Sequence, residues 1–128
     1  MKKLIFIFLI ITFSFADIKG LNKLLSYVFP LITHKRVIKI YTLHPYYKYF
    51  NNYHFIFVKD CKKSDIVFGN IKCLNKPVFA LSYDFYKTSP NVFGVFYYRK
   101  GRPQLKFKKK LLIKFFKNIP DAIKGYVQ

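Results

Sequence analysis

The stretch from Asn91 to Lys108, NVFGVFYYRKGRPQLKFK, restricts the fold more than any other. Val92 to Tyr98 is β-branched and aromatic, and Gln104 to Lys108 alternates polar with apolar residues. Between them, Arg99-Lys100-Gly101 suits a type I turn with Gly101 at the left-handed position, so the whole reads as a β-hairpin. Leu105 and Phe107 point one way while Gln104, Lys106 and Lys108 point the other, giving one inward face and one cationic face. A hairpin of this kind needs a core supplied by the rest of the chain.

The preceding residues can supply it. Leu21, Leu24, Leu25, Val28, Phe29 and Ile32 recur at the spacing of one helical face, with Lys19, Asn22, Lys23 and Ser26 opposite. Pro30 lacks a backbone donor and disfavours helix at the residue before it, so the helix is expected to end or kink near Phe29. A helix lying on a membrane surface would show the same stripe. Arg36 to Leu43 alternates Val37, Lys39 and Tyr41 against Ile38, Ile40 and Thr42 and predicts the first strand, broken by His44-Pro45. Tyr46 to Tyr53 reads as a short helix or loop. His54 to Lys59, Asp65 to Gly69 and Val78 to Leu81 are apolar runs without alternation, which suits strands covered on both faces. After Lys108, a basic cluster leads into Leu111 to Lys117, and Pro120-Asp121 starts a last short helix to Tyr126. The fold class expected is a compact single-domain α/β sandwich with the late antiparallel hairpin at its sheet edge.

Compartment is read from the first residues. Lys2-Lys3 precede an apolar core from Leu4 to Phe13, and Ser14-Phe15-Ala16 offers small residues at the two positions a signal peptidase reads. Residues 1–16 are therefore expected to be a cleaved signal peptide and 17–128 one exported domain. The apolar run is shorter than the roughly 20 residues a spanning helix needs, so a retained anchor is the lesser reading. The chain's 24 Lys plus Arg against 5 Asp plus Glu set a formal charge of +19, which would draw nucleic acid, anionic lipid or an acidic partner. Codon bias spreading lysine over a solvated surface gives the same count.

Cys61 and Cys73 are the only cysteines, and in an exported chain such a pair is most simply one disulfide. Metal ligation would need more partners than His34, His44 and His54 offer at their spacing, so neither a metal nor another cofactor is expected. Acid–base chemistry usually requires a carboxylate pair or an oriented histidine. Asp60 and Asp65 sit among Lys59, Lys62 and Lys63 and read as turn residues and local ion pairs instead. No nucleophile motif or glycine-rich phosphate loop occurs. No catalytic residue is assigned, and the chain reads as a binding module.

The order of a signal peptide, a short helix, VIKIYTL, Cys61 followed by SDIVFG, then KPVFALSY, FGVFYYRKGRPQLKF and a closing KKLLIKF resembles the YfiR-like small periplasmic proteins. The resemblance covers most of the chain after residue 16. It implies an α/β fold similar to half of a periplasmic binding protein. It also implies a regulatory role, exerted by engaging the periplasmic part of an inner-membrane signalling protein such as a diguanylate cyclase or a sensor kinase.

Two groups of residues are candidate sites. Tyr98, Arg99, Lys100 and Arg102 surround the hairpin turn, where arginine and tyrosine suit a partner interface and an unpaired sheet edge can accept a partner strand. Charged hairpin tips are also commonly just solvated. Gly69, Asn70, Ser82 and Tyr83 lie where strands of an α/β sheet end, the usual place for a small anionic ligand, although strand ends need turn residues in any case. Tyr97-Tyr98-Arg99-Lys100 interleaves aromatic and basic residues as nucleic-acid binders do, but export makes that partner less available, and none is expected.

Overall fold

The computed structural model describes residues 17–43, 46–50 and 54–128. The signal-peptide reading and the His44-Pro45 break lie outside the described residues, as does the 51–53 part of the Tyr46–Tyr53 segment. Helix α1 (Asp17–Thr33) precedes strands β1 (Ile38–Tyr41), β2 (Phe55–Phe57), β3 (Ile66–Phe68) and β4 (Val78–Ala80). Helix α2 (Tyr83–Thr88), strands β5 (Val92–Arg99) and β6 (Arg102–Phe107) and helix α3 (Lys109–Phe116) follow. Short 3-10 segments cover Tyr46–Tyr49, Cys61–Lys63 and Asp121–Tyr126. The strands form one sheet in the order β2-β1-β3-β4-β5-β6, parallel throughout except for the antiparallel β5–β6 pair. The domain is mixed α/β with the late hairpin at one edge, as the alternation and turn chemistry require.

One sheet face carries the rings. Phe68, Phe79, Phe93 and Phe107 are fully buried there beneath α1, α3 and the closing 3-10 segment, together with Phe29 of α1. The other face carries smaller side chains, Val67, Val78, Ala80, Val92 and Val95, and is covered by Tyr86 of α2 and by Cys73 in the loop between β3 and β4. Cys61 and Cys73 are disulfide-bonded, tying that loop to the turn after β2. No helix among the described residues is long and apolar enough to cross a membrane.

Helix α1 differs from the sequence expectation by passing through Pro30 and running on to Thr33. A proline inside a helix costs about 3 kcal/mol, but stopping at Phe29 would expose Ile32, which is fully buried. The last turn is also held from elsewhere in the chain, because the Asn118 side-chain amide donates to the carbonyls of Leu31 (2.9 Å) and Ile32 (3.3 Å). The actual stop is His34 in the left-handed region (φ 58°), whose N–H donates to the Pro30 carbonyl. The apolar stripe of α1 is spent on the core, so the membrane-surface reading of that stripe is not needed.

Two further expectations change, and one feature is new. Strand β2 is an edge strand exposing Ile56 and Phe57 rather than a strand covered on both faces; its apolar run lacks alternation without being buried. β3 and β4 are buried throughout, as their runs imply. The hairpin turn has two residues, not three: Arg99 pairs with Arg102, and Lys100 (φ 51°) and Gly101 (φ 75°) are both left-handed. That is the twist-matched turn of a tight hairpin, and glycine takes the second left-handed position without strain. Finally, the β4–β5 register steps from Val78↔Val92 to Phe79↔Gly94, a bulge that lets Phe93 and Gly94 both face the ring-filled side. A Cβ on Gly94 would stand 2.8 Å from Cδ1 of Phe107 and 3.0 Å from Cδ2 of Phe79, so only glycine admits both rings.

Candidate functional site

The β4 strand leads through Leu81 and Ser82 directly into α2. The Ser82 hydroxyl caps that helix by accepting from Phe85 N–H at 3.3 Å. This sets Tyr83 and Asp84 on the first turn, beside the outer end of the hairpin. Ser82, Tyr83 and Asp84 line one wall of an open groove of about 630 Å³, and Tyr97, Tyr98, Arg99 and Lys106 line the other. Residues taken from the sequence as two separate sites, Ser82 and Tyr83 on one hand and Tyr98 and Arg99 on the other, thus share one surface.

Alternation along the hairpin explains the groove's chemistry. Val95 pairs with Lys106 and Tyr97 with Gln104 on the face turned toward α2. Lys106 Nζ lies 5.1 Å from the Tyr83 ring centroid and 5.9 Å from that of Tyr97, and the two rings are 5.3 Å apart. The cationic face expected of the second arm is real, but its lysines lie over tyrosine rings instead of standing free in water. Among the described residues the two ion pairs are Lys35–Asp65 and Lys124–Asp121, so Arg99 and Lys106 keep their charge available to a ligand. Aromatic faces beside a guanidinium and an ammonium suit a carboxylate carried on an apolar or planar body.

The remaining predicted residues lie outside the groove. Lys100 and Arg102 are exposed at the turn. Gly69 (φ 112°) closes the end of β3 by donating to Phe79 O, and a Cβ there would stand 3.0 Å from the Tyr46 ring. Tyr46 therefore packs into the crevice between the ends of β1 and β3, where sheets of this strand order commonly receive ligands. Asn70 is committed to structure: its carbonyl oxygen accepts from Leu81 N–H and its amide donates to the Ser82 hydroxyl. Asp84 and Lys106 are not among the site residues read from the sequence, and Tyr97 enters there only in the aromatic-basic run Tyr97-Tyr98-Arg99-Lys100. The signal that finds Asp84 is Ser82-Tyr83-Asp84-Phe85, a serine cap with an acidic first turn that announces α2.

The hairpin edge is not the open template expected. Lys108 N–H donates to Phe93 O across the hairpin, whereas Gln128 N–H donates to Phe107 O from outside it. By alternation, Phe107, Leu105 and Pro103 turn their backbone groups away from β5. Pro103 has no N–H, and Val127 already bridges Phe107. Both features blunt strand addition at this edge, which leaves recognition to side chains.

Beneath the groove, the Tyr86 hydroxyl donates to Gln128 Oε1 at 3.2 Å, and Lys108 Nζ lies 4.6 Å from the Tyr86 ring centroid while donating to the Tyr86 carbonyl. Burial, reinforced by Tyr83 and Tyr97, pushes the Tyr86 phenol up to about 12, and burial lowers Lys108. The folded protein thus retains a proton that an unfolded chain releases near the ordinary value of 10.0. The stability Tyr86 contributes is complete below that value and is lost as pH rises toward 12. Denaturant unfolding across this alkaline range should show a shallower decline for Tyr86→Phe than for the parent, and equal slopes would contradict the shift.

His34 ends α1, and His54 Nδ1 lies 3.1 Å from Arg36 O at the start of β2. Among the described residues no three His, Cys, Asp or Glu side chains are grouped to hold a metal ion. No protein-family model, curated protein or solved structure matches this chain.

Proposed function

We propose that this chain is an exported, non-enzymatic regulatory protein, and that its groove captures an acidic segment in the periplasmic part of an inner-membrane signalling protein. The observation that carries this reading is the convergence of Tyr83, Tyr97, Tyr98, Arg99 and Lys106 on one groove, a composition in which interfaces concentrate their energy. The disulfide supports an oxidising compartment, and the resemblance to YfiR-like proteins supplies the class of partner. The +19 charge favours an acidic partner and speeds encounter without naming it.

The test is crosslinking in intact cells, scored on a membrane protein identified by mass. Arg99→Glu with Tyr83→Ala should weaken its capture more than tenfold, or over about 1.4 kcal/mol, with the melting temperature nearly unchanged. Lys100→Glu with Arg102→Glu, outside the groove, should change capture little. Equal losses from both pairs would mean diffuse charge attraction and would sink the reading. A second reading, a receptor for a small anionic solute, is favoured by the groove's volume of about 630 Å³. It predicts thermal stabilisation of the isolated protein by one small molecule.

A further inference from the structure

A separate cavity of about 360 Å³ lies at the other end of α2, where β4 and β5 begin. Its walls are apolar: Ile71, Cys73 and Leu74 from the disulfide-tied loop, Val78 and Val92 from the first residues of the two strands, and Phe85 from α2. Three polar side chains join that lining, those of Lys72, Ser89 and Asn91. Ser89 is only 8% exposed. Its N–H donates to Phe85 O and its carbonyl accepts from Lys108 Nζ, but its hydroxyl forms no hydrogen bond within the described residues. No sealed side-chain oxygen or nitrogen is left without a partner among the described residues, so this hydroxyl keeps some accessible surface, on a residue that lines the cavity. The Asn91 carbonyl is bound by Val78 N–H, while its side-chain amide and the Lys72 ammonium have no partner among the described residues.

From this geometry we infer that the cavity is a binding site for a small amphipathic carboxylate. The ligand's apolar body lies against Val78, Val92, Phe85 and the disulfide, and its carboxylate meets the Ser89 hydroxyl, the Asn91 amide and Lys72. Apolar walls with a few convergent polar groups and a volume in the few-hundred Å³ range are the ordinary form of a small-molecule site. The sign of the charge follows from the lining, in which Lys72 is the single ionisable side chain among the described residues. Burying a carboxylate is tolerable only where it is paired and hydrogen-bonded, and these three groups supply both. The site lies at the opposite end of the strands from the Gly69, Asn70, Ser82 and Tyr83 group and does not depend on the hairpin groove.

Octanoate and octan-1-ol, matched in apolar length and differing in charge, are the probes, read by amide chemical shifts of the full chain. The expected result is saturable shifts confined to Cys73, Leu74, Phe85, Ser89 and Val92, with octanoate bound about tenfold more tightly than octanol. Lys72→Gln, at an exposed position that leaves the fold intact, should remove most of that difference while leaving octanol binding unchanged. Ser89→Ala should weaken octanoate further. Shifts spread over the lysine-rich surface without saturation, no shift at these five amides with either probe, or equal affinity of the two probes for the parent would each overturn the inference.

Discussion

Replacing Phe79 with alanine is expected to destabilise the fold by about 3–5 kcal/mol, at the upper end of what single core truncations cost. Phe79 sits on the central strand β4 with no exposed surface. Its ring centroid lies 5.4 Å from Phe29 of α1, 5.9 Å from Phe68 and from Phe93, and 6.3 Å from Phe107 of the hairpin. Truncation would therefore detach the first helix and the last strand from the same point, and rings held from four sides collapse poorly into the space left. A loss of that size is a large part of the roughly 5–15 kcal/mol that holds a small domain together. Urea unfolding should show the midpoint falling steeply, while Phe57→Ala, at the half-exposed β2 edge, changes it little. A loss below about 1 kcal/mol for Phe79→Ala would mean that the ring-filled face is not the main core.

Opening the Cys61–Cys73 bond should cost about 3 kcal/mol, because it closes a loop of about a dozen residues and restricts the unfolded chain. The bond joins a turn capped by Asp60, whose carboxylate accepts from Lys62 N–H at 3.0 Å, to a loop that covers Val67. Among the described residues the helix on that side of the sheet is the six-residue α2, and the tied loop extends the cover it gives. In a domain of this size the melting temperature should fall by about 10–20 °C on reduction. The Cys61→Ser/Cys73→Ser double variant should fall equally. An unchanged melting temperature would show that the loop is held by its packing alone, and two free thiols in protein isolated without reductant would exclude the bond.

Much of the architecture was legible because its causes are local. The alternation of Gln104 to Lys108, the glycine at position 101 and the spacing of Leu21 to Ile32 each follow from residues a few positions apart, and each element formed, although the helix runs past Pro30 and the turn is one residue tighter than read. The buried runs at β3 and β4 and the cysteine pair were likewise readable. What could not be read was contributed from far along the chain. Asn118 caps the end of α1 across 87 residues, and nothing near Pro30 announces that partner. The bulge at Phe93 brings Gly94 against both Phe79 and Phe107, residues 15 and 13 positions away in the chain. The apolar run of β2 gave no warning of an edge, since burial depends on which strands become neighbours.

The same division applies to function. By itself the sequence determined a mixed α/β domain with a disulfide, a late hairpin and an excess of cations, because composition, periodicity and turn chemistry act over short separations. Only the tertiary structure decided that Ser82 and Tyr83 face Tyr98 and Arg99 across one groove, that Lys106 lies over tyrosine rings, and that Pro103 and Val127 blunt the hairpin edge. It alone placed Ser89 on the wall of an apolar cavity. The physical reason is that these placements depend on strand order, on a one-residue register shift and on the α2 crossover, all set by competition for burial among distant segments.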